Sequence, residues 1–111
     1  MAQRLANYLR TYRRRAGLTQ NEVAFLLGTA SGTRVSRYER FGRQPRLPTA
    51  LAYEVVFAAP QRQLFGGLYE RVESQVHGRV GILIRRLEAE NIDPRTRLKL
   101  TVLRGIVSKI R

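Results

Sequence analysis

The sequence contains no cysteine and a single histidine, His77. The missing cysteines exclude disulfide bonds, thiolate metal ligands and cysteine nucleophiles, and they suit the reducing conditions of a cytoplasm. A lone histidine does not make a histidine-cluster metal site, so we interpret His77 as an ordinary surface or packing residue. We therefore expect no metal site and no cofactor.

Long hydrophobic runs are also missing, since no apolar stretch approaches the roughly 20 residues that cross a bilayer. We therefore expect no membrane-spanning segment. The first 17 residues lack the hydrophobic core of a signal peptide, but they are rich in arginine and free of acidic residues, as transit peptides are. Their leucine and tyrosine spacing equally fits a first packing helix, so both interpretations stay open.

Acidic residues are few, with 8 against 21 lysines and arginines, which leaves a net charge of +13. This excess favours a polyanionic partner, either nucleic acid or an anionic membrane surface. The basic residues are nearly all arginine, whose guanidinium forms bidentate contacts with guanine and phosphate. A genome that favours arginine codons would produce the same bias.

The acidic residues form no recognisable catalytic arrangement. Glu88, Glu90 and Asp93 lie close together in the sequence, but no partner for acid–base chemistry and no glycine-rich phosphate loop accompanies them. Their expected role is to balance neighbouring arginines. The sequence therefore does not favour an enzyme.

The first third of the chain shows helical spacing, and the 43% hydrophobic content of the whole sequence is enough for a core. Leu5, Leu9, Tyr12 and Ala16 recur at intervals of 4, 3 and 4, which predicts a first helix that ends at Gly17. A second helix begins with a capping box of Thr19 and Glu22. Its expected packing residues are Val23, Ala24, Phe25, Leu26 and Leu27.

Gly28 suits a left-handed end to the second helix, and a third helix begins at Ser31 or Gly32, with Val35 and Tyr38 facing inward. Gly42 and Pro45 then predict a loop. The order of two short helices around a glycine-marked turn is typical of a helix-turn-helix, whose second helix enters the DNA major groove.

The rest of the chain is also predicted to be helical, which gives an all-α fold class. Pro48 begins a fourth helix, Pro60 begins a fifth that ends near Phe65, and Gly66 and Gly67 predict a turn. A long helix then carries the apolar stripe Leu68, Val72, Val76, Val80, Leu83 and Leu87. Asp93 and Pro94 begin a last helix with the stripe Leu98, Leu100, Val102, Leu103, Ile106, Val107 and Ile110. We predict a domain over residues 1–65 and a two-helix extension over residues 66–111.

The segment of residues 9–60 resembles the lambda-repressor-like (Cro/C1-type) helix-turn-helix family. The matching positions are Arg13, Gly17, Leu18, Thr19, Gln20, Glu22, Ala24, Leu27, Gly28, Val35, Ser36, Arg37, Tyr38, Glu39, Pro45 and Leu47. The resemblance implies a compact bundle of four or five helices in a cytoplasmic protein of bacterial or phage origin. It also implies a regulator, most often a repressor, that binds double-stranded DNA as a dimer on a palindromic operator.

The resemblance also assigns roles to individual residues. Gln20 is expected to contact a phosphate, and Arg37 is the leading candidate for a base contact, with a phosphate contact as its alternative. Arg13 and Glu39 match a partly buried ion pair that links the first and third helices. The other candidates for DNA contact are Ser31, Thr33, Arg34, Ser36, Arg40 and Arg43.

One feature departs from the family pattern. The segment TASGTR between Gly28 and Val35 is one residue longer than the family's usual spacing. The additional residue lies either in the turn or in the first turn of the recognition helix. The register of the base-contacting residues therefore has two solutions that differ by one position.

The C-terminal helices need a surface on which to bury their apolar stripes. They could pack on the first domain, against each other or against a second copy of the chain. The leading hypothesis is a homodimeric transcriptional regulator. The alternatives are an antitoxin-like protein, whose C-terminal helices bind a partner, and a nonspecific chromatin or RNA-binding protein.

Overall fold

The structure, a computed structural model, describes residues 5–108. In this range the chain forms seven helices and no strand, which confirms the all-α fold class. The helices are α1 (Leu9–Arg15), α2 (Gln20–Leu27), α3 (Gly32–Glu39), α4 (Leu47–Phe57), α5 (Gln61–Leu64), α6 (Gly66–Glu88) and α7 (Pro94–Ser108).

The chain divides into two compact units, and the division lies inside α6, between Glu70 and Arg71. The boundary predicted at residues 65 and 66 lies slightly earlier, where α6 begins. The first unit therefore contains α1 to α5 together with the first turn of α6.

The core of the first unit draws one or more side chains from each of its first five helices. Its completely buried members are Leu9, Val23, Val35, Tyr53 and Leu64. The ring of Tyr53 stacks on Phe57 at 6.0 Å and meets Tyr38 edge-on at 6.3 Å. Each such side chain contributes about 1.5–3 kcal/mol of hydrophobic free energy, so this core holds the helices in one bundle.

Helix α1 begins at Leu9, so the prediction that its inward face starts at Leu5 is wrong. Leu5 lies before the helix, and both Leu5 and Ala16 are exposed. The carbonyl oxygens of Leu5 and Ala6 accept hydrogen bonds from the N–H groups at the start of α6. The backbone N–H of Tyr8 donates to the carbonyl of Leu64 at 2.7 Å. These contacts with distant residues replace the local bonds of a helical turn.

Helix α6 begins at Gly66, so the prediction of a turn at Gly66 and Gly67 is also wrong. The turn lies one residue earlier, at Phe65. Glycine is costly in a helix interior, but the first N–H groups of a helix have no intrahelical partner in any sequence. The N–H of Gly67 donates to the carbonyl of Leu5 at 2.7 Å, and that of Leu68 donates to Ala6 at 3.2 Å.

The second unit buries Val80, Leu87, Thr96 and Leu100. The side chain of Asp93 accepts the N–H of Thr96 at 2.8 Å, which confirms the predicted cap of the last helix and lowers the pKa of the Asp93 carboxyl. Of the predicted stripe on that helix, Leu98 and Val102 are exposed, and Ile110 lies outside the described residues.

Residues 5–108 contain neither a bilayer-spanning helix nor a candidate metal cluster. No helix in this range is long and apolar enough to span a bilayer. Within the same range, no group of three or more histidine, cysteine or carboxylate side chains is placed to hold a metal ion, and His77 is half-buried on α6.

Candidate nucleic-acid interface

The two ends of α2 are set by local chemistry. The hydroxyl of Thr19 accepts the N–H of Glu22 at 3.0 Å, and the Glu22 carboxylate accepts the N–H of Thr19 at 2.8 Å. This is the predicted capping box. At the other end Gly28 adopts a left-handed conformation with φ of 73°, and its N–H donates to the carbonyl of Phe25. The sequence prediction of both ends is confirmed.

The packing of α2 differs from the prediction at two of its apolar residues. Val23 and Ala24 are buried and Leu27 packs against the core, but Phe25 and Leu26 are exposed. A helix of eight residues presents only one face to the bundle. The other apolar side chains therefore point towards solvent.

The turn between α2 and α3 contains four residues, from Gly28 to Ser31. Because α3 begins at Gly32, the first three residues of the TASGTR segment lie in the turn and the last three lie in the helix. Val35 is then the fourth residue of the helix and is completely buried. This placement fixes the position of Val35 in α3, and the residues that contact bases stay a prediction.

The start of α3 is capped from another helix. Ser31 occupies the N-cap position, but its side chain makes no capping hydrogen bond within the described chain. Instead, Oδ1 of Asn21 on α2 accepts the N–H of Gly32 at 3.1 Å. Sequence reasoning missed Asn21, because a bond between two helices leaves no local pattern.

The faces of α3 separate packing residues from candidate DNA contacts. Gly32, Val35, Tyr38 and Glu39 are buried, and Ser36 is half-buried. The exposed residues of the helix and the two that flank it are Ser31, Thr33, Arg34, Arg37 and Arg40. The structure therefore brings most of the predicted contact residues together on one solvent-facing surface.

An open, polar depression lies between the start of α2 and the exposed face of α3. Among its lining residues are Thr19, Gln20, Thr33, Ser36 and Arg40. The depression therefore places Gln20, which is expected to contact a phosphate, beside residues of the recognition helix. Backbone N–H groups at a helix start attract anions, so this depression suits the DNA backbone.

An ion pair holds α3 against α1. Nε of Arg13 lies 2.6 Å from Oε2 of Glu39, and a second guanidinium nitrogen donates to Oε1 at 3.1 Å. The side chains are 12% and 2% exposed, respectively. The hydrogen bond to Glu39 raises the pKa of Arg13 above its already high ordinary value. The structure thus places the two predicted partners in a bidentate, nearly buried pair.

The same carboxylate also positions Gln20. Nε2 of Gln20 donates to Oε1 of Glu39 at 3.2 Å, and Arg13 additionally donates to the carbonyl of Leu18 at 2.9 Å. Glu39 therefore connects α1, the start of α2 and α3. A side-chain amide has two N–H donors, and Glu39 uses one of those of Gln20.

A second connection to α3 comes from Asn7, which sequence reasoning missed. Its Nδ2 donates to the carbonyl of Tyr38 at 2.9 Å, while its Oδ1 accepts the N–H of Leu9 at 3.1 Å. The residue is buried and links the start of α1 to the end of α3. An asparagine shortly before a helix is a capping signal, which predicts the bond to the N–H of Leu9 but not the bond to the carbonyl of Tyr38.

The loop after α3 carries exposed basic residues. Arg40 ends the helix, and Arg43 and Arg46 are exposed before α4. Phe41 adopts a left-handed conformation with φ of 65°, which is uncommon for a bulky residue. The N–H of Gly42 donates to the carbonyl of Arg37 at 2.9 Å, so this loop folds back on α3.

These elements together define a DNA-binding helix-turn-helix module. A family model described as a helix-turn-helix domain matches residues 4–63, which is more than half of the chain, and the chain belongs to this family. The match is consistent with the Cro/C1-type resemblance of residues 9–60. No curated protein and no solved structure matches the chain.

Proposed function

We propose that this protein is a sequence-specific transcriptional regulator, a repressor that binds a palindromic operator as a homodimer. The observation that carries the proposal is the exposed face of α3, where Thr33, Arg34 and Arg37 project from a helix whose opposite face is buried. Arginine paired with guanine is the commonest specific contact in the major groove.

The net charge of +13 supports this function. Neutralising phosphates releases counterions, and this release drives much of the affinity of DNA-binding proteins. A protein that occupies the major groove at a promoter also blocks other proteins from the same groove. That steric effect is sufficient for repression without a ligand-binding domain.

Exposed apolar residues of the second unit support the homodimer. One recognition helix contacts too few base pairs for strong specificity, so such modules usually act in pairs. On α6 and α7, apolar side chains remain between 41 and 65% exposed, namely Val72, Val76, Ile82, Leu83, Leu98 and Val102. Covering them with a second copy would recover roughly 25 cal/mol for each Å² of apolar surface.

Selection of bound sites from random duplex DNA tests the proposal. We expect a palindrome whose half-sites are separated by about one helical turn, 10–10.5 base pairs. Enrichment of a single half-site would contradict the homodimer. If no sequence is enriched over random duplex, the protein is a nonspecific basic protein and the proposal is wrong.

The same exposed residues of the second unit favour one alternative, an antitoxin-like protein. In that case α6 and α7 would bind a partner protein while the first unit binds DNA. Stoichiometric co-purification of one partner, lost when Leu98 and Val102 are replaced by glutamate, would favour this alternative over the homodimer.

A further inference from the structure

Asn21 on α2 and Gly32 at the start of α3 are in direct contact. Oδ1 of Asn21 accepts the N–H of Gly32 at 3.1 Å. A Cβ atom on Gly32 would lie 2.4 Å from that same oxygen, much closer than nonbonded atoms approach each other. The hydrogen bond therefore requires a residue without a side chain at the first position of α3.

We infer that Asn21 and Gly32 are a positioning pair that sets the register of the recognition helix and, through it, the base preference. The inference rests on the proposed function. Gly32 is buried and has no side chain with which to contact a base. Asn21 is exposed and lines the polar depression, but a contact with the DNA backbone carries no sequence information, so an effect of this pair on base preference acts through the placement of α3.

The geometry of a helix explains why such a device is useful here. The four-residue turn from Gly28 to Ser31 joins the two helices through the backbone, and the bond from Gly32 to Asn21 links them a second time. Successive residues of a helix differ by 1.5 Å in height and by about 100° in direction. A small rotation or slide of α3 would therefore move Arg34 and Arg37 away from their bases.

Asn21 is well suited to locate the helix because α2 is itself fixed. The capping box holds the start of α2, and the bond from Gln20 to Glu39 links it to α3 and α1. Ala24, on the same helix, is buried in the core. The hydrogen bond that Gly32 donates to Asn21 therefore ties the first residue of α3 to a helix that is itself held in place.

Four variants of the full chain distinguish a role in positioning α3 from a role in folding or in affinity alone. They are Asn21→Ala, Asn21→Asp, Gly32→Ala, and the double change of Asn21→Ala with Gly32→Ala. Each is measured by fluorescence anisotropy, at one salt concentration, on the selected duplex and on duplexes with single base-pair changes. Thermal melting of each variant reports its folding. Gly78→Ala and Asn91→Ala are matched controls, since a Cβ at Gly78 meets nothing within 4 Å and Asn91 is exposed in the second unit.

We expect Asn21→Ala and Gly32→Ala to lower the preference for the selected duplex by about 10-fold, the size of one lost base contact. Asn21→Asp keeps the acceptor oxygen, so its base preference should stay as in the native protein. Its added negative charge should weaken binding to all duplexes alike. In the double variant the Asn21 oxygen is gone, and the backbone nitrogen of residue 21, 3.1 Å from the added Cβ, is the close contact that remains. Gly32→Ala should therefore cost about threefold less there than in the native protein, as coupled neighbours do.

The inference is overturned if the two single changes combine as independent effects. It is also overturned if every variant weakens binding to all duplexes equally, because the pair then supports folding or affinity only. A native protein that prefers no duplex sequence would instead overturn the proposed function. The two failures are therefore distinguishable.

Discussion

At the scale of single residues, Glu39 connects three helices of the first unit. Its carboxylate accepts hydrogen bonds from Arg13 and Gln20, and it is almost fully buried. Burying a carboxylate is costly unless it is paired and hydrogen-bonded. Here each oxygen has a donor, so the charge is compensated and three helices are connected.

Replacing Glu39 by alanine should destabilise the protein by about 3–5 kcal/mol, because the guanidinium of Arg13 would remain buried without its carboxylate. Chemical denaturation followed by circular dichroism measures this loss. Glu88→Ala is the matched control, since Glu88 pairs with Arg104 at the surface and should contribute less than about 1 kcal/mol. Similar losses in the two variants would contradict the assignment.

Tyr53 is a second residue whose burial should affect stability measurably. It is completely buried, and its hydroxyl has no hydrogen-bond partner among residues 5–108. Burial raises the pKa of this hydroxyl above its ordinary value near 10. The folded protein therefore holds this proton more tightly than the unfolded chain does.

It follows that the contribution of Tyr53 to stability is present below about pH 10 and is lost as the pH rises above that value. The variant Tyr53→Phe has no proton to lose at this position. The melting temperature of the variant should therefore exceed that of the native protein by a gap that widens between pH 8 and pH 11. Tyr69→Phe, which removes a hydroxyl bonded to Arg62, is the control. A gap that does not change with pH would refute this account.

At the scale of elements, the recognition helix combines a buried face with an exposed one. Arg37 lies on the exposed face, one residue before Tyr38, which is buried in the core. The core thus holds the helix backbone while leaving the guanidinium free to reach a groove. This geometry separates the effects of mutations on folding from their effects on binding.

Arg37→Ala should cost about 1–3 kcal/mol at the selected site and relax the preference at one base pair. Gln20→Ala should instead weaken binding evenly, since a phosphate contact carries no sequence information. Both are measured as binding isotherms on the selected duplex and its single-change variants. Arg79→Ala, on α6, controls for the loss of one positive charge. An unchanged base preference in Arg37→Ala would refute the assignment of the recognition helix.

At the scale of the whole molecule, the homodimer is the testable feature. Leu98 and Val102 are exposed and lie one helical turn apart on α7. We expect the full chain to sediment as a dimer at micromolar concentration, and the double variant Leu98→Glu with Val102→Glu to sediment as a monomer. Val55→Glu is the control, because Val55 is 81% exposed on α4 in the first unit.

Two outcomes would contradict this prediction. A full chain that is monomeric at micromolar concentration would exclude a stable dimer without DNA. Dissociation by Val55→Glu but not by the α7 variant would place the interface on the first unit. In that case the exposed residues of α7 would need another explanation.

The sequence alone determined the features that depend on residues close together in the chain. The capping box of α2 joins residues three apart, Gly28 needs only its own left-handed conformation, and Asp93 caps α7 across three residues. The alternation of buried and exposed positions on α3 follows from helical periodicity. Such features are visible because their partners lie within one turn of a helix.

The tertiary structure alone decided where α1, α3 and α6 begin and which polar residues connect them. Gly32 and Asn21 are 11 residues apart, Arg13 and Glu39 are 26 apart, and Asn7 and Tyr38 are 31 apart. The Arg13–Glu39 pair could be expected only from the family resemblance, and the other two pairs were not expected at all. A long-range hydrogen bond forms only after the core has brought its partners together, so no local pattern of residues predicts it.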